Sequence, residues 1–290
     1  MDPVWSWTPA PPDGLCFAFQ GWPPEVAMLV RELLGASGGW VGTDAGGPSI
    51  VWHGSMSVLT AGASSDGWVW QPRGAVAALG EKVRVEVEHR AGHAVIGVMG
   101  EATDVLRQLV WRVLPAVLGE LALSRGWLLL HAAAVLWKDG ALVFPGPSGA
   151  GKSTIAAAAA AAGWPVLADD LVWVRVAEGS GPRVVGFPRG GWEEVVSSSS
   201  WKGRFAPVTA WVFPKLGEPG QRQVQRLLPR FALQSLWDAW VGLGAPSTAA
   251  TRFAGCIQLA QLPSFSWVRP RYFPEMCRGA WPAPRKGAGK

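Results

Sequence analysis

Hydrophobic positions change their period several times along the chain, and each change marks an element. Val26, Leu29, Val30, Leu33 and Leu34 recur at helical spacing before Gly35, which predicts a short helix over 24–34. From 39 to about 100, short β-favouring runs (50–52, 57–60, 68–70) alternate with Gly, Ser and Asp turns. Val83, Val85 and Val87 alternate with charged residues, Arg90, Ala91 and Gly92 turn the chain, and 94–99 is apolar again, the pattern of a hairpin. Val105, Leu106, Leu109, Val110, Val113 and Leu114 then return at helical spacing. A long helix is expected over 103–124, capped by Thr103 and kinked at Pro115. A strand pattern follows at Trp127–Trp137, then a turn at Lys138, Asp139 and Gly140, and a second strand over 141–144. Ile155 and the alanines 156–162 predict a helix closed by Gly163 at its C′ position. After it, Val166, Leu167 and Ala168 form an apolar strand that ends in Asp169 and Asp170.

Composition narrows the class. Of 290 residues, 49% are apolar and 16% charged, so the bulk of the chain can fill a core and is not intrinsically disordered. The nineteen Trp against one Tyr fit a GC-rich coding bias and carry no functional weight as a set. The net charge of +5 is local. Residues 266–290 hold Arg269, Arg271, Arg278, Arg285, Lys286 and Lys290 against Glu275 alone, which leaves the remainder neutral. A basic tail on a neutral body argues for a solvated segment and against a nucleic-acid surface. Cys16, Cys256 and Cys277 are odd in number and far apart, so neither a disulfide framework nor a zinc site is expected. The first residues lack the basic and apolar regions of a signal peptide, and no apolar run approaches the ~20 residues of a membrane span. The expectation is a cytoplasmic protein with no membrane partner.

One segment carries chemistry. Gly146, Pro147, Ser148, Gly149, Ala150, Gly151, Lys152, Ser153 and Thr154 fit G-x-x-x-x-G-K-[ST] completely, between a strand and a helix. Gly149 and Gly151 permit the backbone angles that turn successive N–H groups toward phosphate oxygens. The helix that follows points its positive end at the same anion. Lys152 would neutralise the β- and γ-phosphates, and the Ser153 hydroxyl would ligate Mg²⁺. In phosphate-loop proteins an Asp at the end of a neighbouring strand holds Mg²⁺, directly or through water. Two adjacent carboxylates, Asp169 and Asp170, allow two tasks: one serves the metal, and the other takes a proton from an attacking hydroxyl. His131 stands in an otherwise apolar strand, where a lone His is ordinarily a satisfied core residue.

The succession of a strand bearing His131-Ala132, a hairpin, the loop, a helix ending in Gly163 and a strand ending in Asp169-Asp170 resembles the catalytic domain of HPr kinase and its relatives. These are protein-serine kinases with a phosphate loop. His131 precedes Lys152 by 21 residues and Asp170 follows it by 18, intervals that match the family. The resemblance is specific over 128–176, looser to about 268, and absent from 1–100. It implies an α/β fold: a P-loop kinase core of the HPr kinase type, with a mixed sheet flanked by helices, behind a small β-rich N-terminal domain. The organisation expected is a β-rich domain with a flexible Pro-rich arm over 1–102, the kinase-like domain over 103–275 and the basic tail over 276–290. Carried over by position, Lys152 is the phosphate lysine, Ser153 the magnesium ligand and Asp170 the proton acceptor. Asp169 supports the metal, and His131 lies beside that carboxylate.

Relatives also place a glutamate on magnesium. Glu193 and Glu194 fall in the right region, but the Glu-Ile-Arg-Gly-Leu-Gly motif around it is missing. That motif is associated with the reverse, phosphorylase reaction, which is therefore not expected. The match is better to the divergent HPr-kinase-like proteins of bacterial peptide-biosynthesis clusters, lasso-peptide kinases among them. These resemble the run 206–213, the Leu228-Pro229 turn and helices near 231–243 and 247–261. Arg204 is the candidate for the family's catalytic arginine. The implied activity is transfer of the γ-phosphoryl of ATP, with Mg²⁺, to a serine of a peptide or small protein. The alternatives are an ATP-binding regulatory module and a small-molecule kinase; homo-oligomerisation is left open. Substrate choice is expected to lie in the N-terminal region and in 191–268, with an apolar peptide segment as acceptor.

Three further features are assigned no chemistry. His89 and His93 stand four apart beside Glu86 and Glu88, but alternating valines put them on a strand and a turn, not on one helix face. The serines 197–200 read as a loop, and the Trp residues of 191–240 as packing.

Overall fold

The alternating segments build strands, and the strands form two sheets. The computed structural model describes residues 113–176, 181–187, 205–216 and 223–269. Ahead of these it describes eight strands and the helical residues 27, 28, 30 and 34. The chain divides into two compact units, residues 1–129 with 241–252, and residues 130–240 with 253–290. The architecture is mixed α/β, with a mixed sheet flanked by helices.

In the first unit the strands are β1 (Trp5–Thr8), β2 (Phe17–Gln20), β3 (Gly39–Val41), β4 (Ser49–His53), β5 (Trp68–Gln71), β6 (Gly74–Leu79), β7 (Val83–Glu88) and β8 (His93–Val98). They lie in the order β3-β1-β2-β4-β8-β7-β6-β5. The expected hairpin is β7 against β8, antiparallel, with Val85 opposite Ile96. The expected Pro-rich arm is corrected. β1 pairs with both β2 and β3, because Trp5 and Trp7, and Phe17 and Phe19, alternate with small residues as strand faces do, and Phe17 is fully buried. The run at 57–60, the boundary near 102, residues 103–112 of the long helix, His89, Cys16, Cys277 and the tail 276–290 lie outside the described residues.

The helix α1 (Leu114–Leu123) follows helical Val113 and carries Pro115 near the start of its described residues. Its Glu120 is 1% exposed and accepts from Leu243 N (2.8 Å), Gly244 N (3.1 Å) and Thr248 Oγ1 (2.5 Å). A buried carboxylate is tolerable only when its oxygens are bonded in this way. It fixes the loop that leads into the later helix at 249–260. Gly119 allows that approach, since a Cβ there would run into the Val241 carbonyl.

The second sheet is built around β9 (Trp127–Trp137) and β10 (Gly140–Pro145), an antiparallel hairpin whose turn holds Lys138 at φ 55°. After it come α2 (Lys152–Ala161), β11 (Val166–Ala168), β12 (Leu171–Arg175), β13 (Arg183–Gly186), β14 (Ala206–Leu216), β15 (Gln223–Arg226), α3 (Pro229–Ala239), α4 (Ala249–Ala260) and β16 (Ser264–Arg269). β10 runs parallel to β14, and β14 parallel to β16, while β11 pairs antiparallel with the other side of β9. Thus β10, α2 and β11 form a crossover between two strands of the same direction with β9 inserted between them, and the loop after β10 emerges at the carboxyl end of the sheet. β12 and β13 continue from β9 and return to the first residues of β14.

The alanine helix lies on this sheet through its small side chains. Ile155, Ala156 and Ala159 pack with Val135, Leu142, Phe144, Val212 and Trp267. The helix stops as the sequence predicts. Gly163, at φ 79°, donates to Ala160 O (2.9 Å), and Trp164 N donates to Ala159 O (2.9 Å), which is the Schellman pattern. Trp164 then folds back into the same core.

Among the described residues no helix is long and apolar enough to cross a membrane.

Candidate functional site

The loop of residues 146–151 is anchored at both ends. Gly146 N donates to His131 O (3.2 Å), tying the end of β10 to β9, and Ile155 N donates to Gly151 O (3.0 Å) as α2 begins. Between them Ala150 N closes a turn on Pro147 O (3.2 Å). Gly149 (φ 81°) and Gly151 (φ 89°) take the left-handed conformation expected of them. At Gly149 an added Cβ would meet nothing within 4 Å, so the backbone angle, not crowding, demands glycine there. Gly151 is the N-cap of α2 and supplies no side-chain cap, and the first turn holds no acidic residue. The first N–H groups of α2 therefore have no intrahelical acceptor and no competing carboxylate on their own helix.

Lys152 is 5% exposed and donates from Nζ to Gly146 O (3.0 Å) and Pro147 O (2.9 Å). Burial brings its pKa from 10.5 down to about 8, partly opposed by the charge of Asp169, which favours the cation. Ser153 and Thr154 are exposed at the head of the helix.

The two carboxylates sit between β11 and β12. Leu136 N donates to Pro165 O (2.9 Å), and Ala132 N donates to Asp170 O (2.8 Å), so the backbone on both sides of the pair is fastened to β9. Asp169 is buried and coupled to Lys152. Asp170 Oδ1 lies 3.0 Å from His131 Nε2, with side chains 20% and 27% exposed. The resemblance set His131 beside the metal-supporting Asp169; the hydrogen bond in the structure is to Asp170. The reason is the register: β9 presents His131 where the chain turns from Asp170 into β12.

These residues fit a magnesium-bound polyphosphate. A buried ammonium and unpaired helix N–H groups suit phosphate oxygens, while the Ser153 hydroxyl and the Asp169 carboxylate are hard oxygen donors of the kind Mg²⁺ takes. Residues 146–154, Asp169, Asp170 and His131 all belong to the second unit. Glu193, Glu194, the serines 197–200 and Arg204 lie outside the described residues. Sequence reasoning missed the inward hold on Lys152 by the Gly146 and Pro147 carbonyls, for which residue type leaves no signal. It also missed Pro214, which lies 3.9 Å from where a Gly146 Cβ would stand. No protein-family model matches the chain, and no curated protein matches it.

Proposed function

We propose that the chain is an ATP-dependent kinase of the HPr-kinase-like type, transferring the γ-phosphoryl group to a serine of a peptide or small protein. The observation that carries this reading is the His131–Asp170 hydrogen bond, placed one residue from the Asp169–Lys152 pair. Nucleotide binding alone requires the loop and its lysine. It requires no second carboxylate held by an imidazole at the edge of the same site. In this reading residues 103–275 form the kinase-like domain, and residues 1–102 a β-rich N-terminal domain.

The chemistry follows from the residues. The acceptor hydroxyl gives its proton to Asp170, its oxygen bonds to the γ-phosphorus, and the bond to the β–γ bridging oxygen breaks, so that the electron pair leaves with ADP. His131 holds Asp170 in position. Lys152 and the head of α2 balance the negative charge of the phosphates. Magnesium, held by Ser153 and Asp169, would supply further neutralisation.

The test separates binding from transfer. Asp170→Asn should leave ATP affinity by calorimetry unchanged while transfer of labelled phosphate to a serine peptide falls by about 10²–10⁴. Transfer at the wild-type rate in Asp170→Asn would remove the base and the reading with it.

A further inference from the structure

Among the described residues β15 is the last strand of its sheet. Its pairing with β16 fixes which of its backbone groups face outward. Leu227 N donates to Ser264 O at 2.7 Å, continuing the register Gln225↔Ser266 and Gln223↔Val268. In an antiparallel pair hydrogen-bonded and non-hydrogen-bonded positions alternate. Val224 and Arg226 therefore turn their N–H and C=O groups away from β16, two donors and two acceptors along an open edge. Val224 is 42% exposed, and Leu228 and Phe231, just beyond the strand, are 56% and 52% exposed. Among the described residues the charged side chains on the strand and just beyond it are Arg226 and Arg230, both exposed.

We propose that this edge takes up an extended acidic and apolar peptide segment as an added strand, and that the segment belongs to the phosphoacceptor. The second clause rests on the kinase reading; the first does not. Charge selects the occupant. A second copy paired edge to edge would bring Arg226 and Arg230 of two chains toward each other. The chain's own 270–290 segment carries five cations against Glu275. Both are like-charged with the edge, whereas an acidic segment is complementary.

The geometry also sets the acceptor's position. β15 is antiparallel to β16 and β16 runs with β14 and β10, so the Val224 end of the edge faces the phosphate-loop end of the sheet. An added strand lies four strand spacings from β10, about 19 Å. Extended chain covers that distance in about six residues, so the serine belongs about six residues beyond the docked stretch.

The test uses the full chain without nucleotide and a fluorescent peptide of about ten residues alternating Val and Glu, read by anisotropy. Binding is expected. It should weaken about tenfold when alternate peptide nitrogens are methylated, and as much in Val224→Pro, which removes an outward donor and leaves the β16 ladder whole. Arg226→Glu should weaken it likewise and shift preference to a Val/Lys peptide. Should the proline variant fail to fold, Arg226→Glu and the methylated peptide still decide the matter. Lys152→Ala should bind the peptide as wild type does, so failure of the nucleotide site is distinguishable from failure of the edge. Adding a serine about six residues from the Val/Glu stretch should raise kcat/KM for phosphorylation, and Arg226→Glu should abolish the gain. Absent binding, or binding indifferent to methylation and to Arg226→Glu, overturns the proposal. So does a wild-type dimer in sedimentation that Arg226→Glu dissolves, which assigns the edge to a second copy. A serine peptide that binds but gains nothing in kcat/KM overturns the second clause.

Discussion

Lys152 should take up a proton when nucleotide binds above neutral pH, and the amount can be worked out. In the free protein its pKa is about 8, because burial disfavours the ammonium more than Asp169 and the loop carbonyls favour it. A bound polyphosphate supplies the missing counter-charge and should return the group to its ordinary value near 10.5 or above. The free lysine is then about three-quarters protonated at pH 7.5 and about one-tenth at pH 9, while the bound form is charged at both. Binding should take up about 0.2 proton at pH 7.5 and about 0.9 at pH 9, and affinity should fall about eightfold between them. Calorimetry of Mg-ATP binding in buffers of different ionisation enthalpy reads the uptake directly. The γ-phosphate is fully ionised across this range and does not compete. Equal affinity at the two pH values with no uptake at pH 9 would show that Lys152 does not titrate there, or does not meet the phosphates.

The same lysine links pH to stability. Its folded pKa lies below its unfolded value, so between about pH 8 and 10.5 the unfolded chain binds more protons, and stability should rise with pH by about 1–3 kcal/mol relative to Lys152→Met, read by denaturant unfolding at each pH. Gly186→Ala places a Cβ against the Leu167 carbonyl, one residue from the strand end that leads to Asp169, and should cost about 2–3 kcal/mol in the same assay. Asp169→Asn removes the charge that supports the Lys152 cation, so its proton-uptake curve should move to lower pH than the wild type's. Asp170→Asn should leave that curve where it is.

The legible part of this molecule is the part whose constraints are local. Gly149, Gly151 and Gly163 stand where the backbone takes positive φ, and each position follows from a turn or cap that no other residue type serves as well. The β9–β10 hairpin, the alanine helix and the Asp169–Asp170 strand end were readable for the same reason. Each is written in a run of a few residues. What escaped is non-local. Glu120 sits in an apolar helix stripe, and only the folded loop 123 residues later, at Leu243, shows why a carboxylate can be buried there. The β1 and β2 strands were hidden by prolines that read as an arm. Two Trp and two Phe at alternate positions outweigh them once a neighbouring strand is available to pair with.

In the proposed kinase two adjacent aspartates would serve two tasks, and their surroundings differ accordingly. Asp169 and Asp170 lie in the bend between β11 and β12. β11 is held against β9 by the Leu136–Pro165 hydrogen bond on one side of the carboxylates, and by the Ala132–Asp170 hydrogen bond on the other, so neither residue can rotate into its neighbour's place. Asp169 lies within the charge field of the buried ammonium, and Asp170 bonds the imidazole where both side chains are partly exposed. In the proposed reaction Asp169, near the buried Lys152, would serve the metal. In that reaction Asp170, bonded to His131 and partly open to solvent, would meet the arriving hydroxyl. The surroundings of the two differ before any ligand enters, because β9 places His131 against Asp170 while the loop places Lys152 where it feels the charge of Asp169.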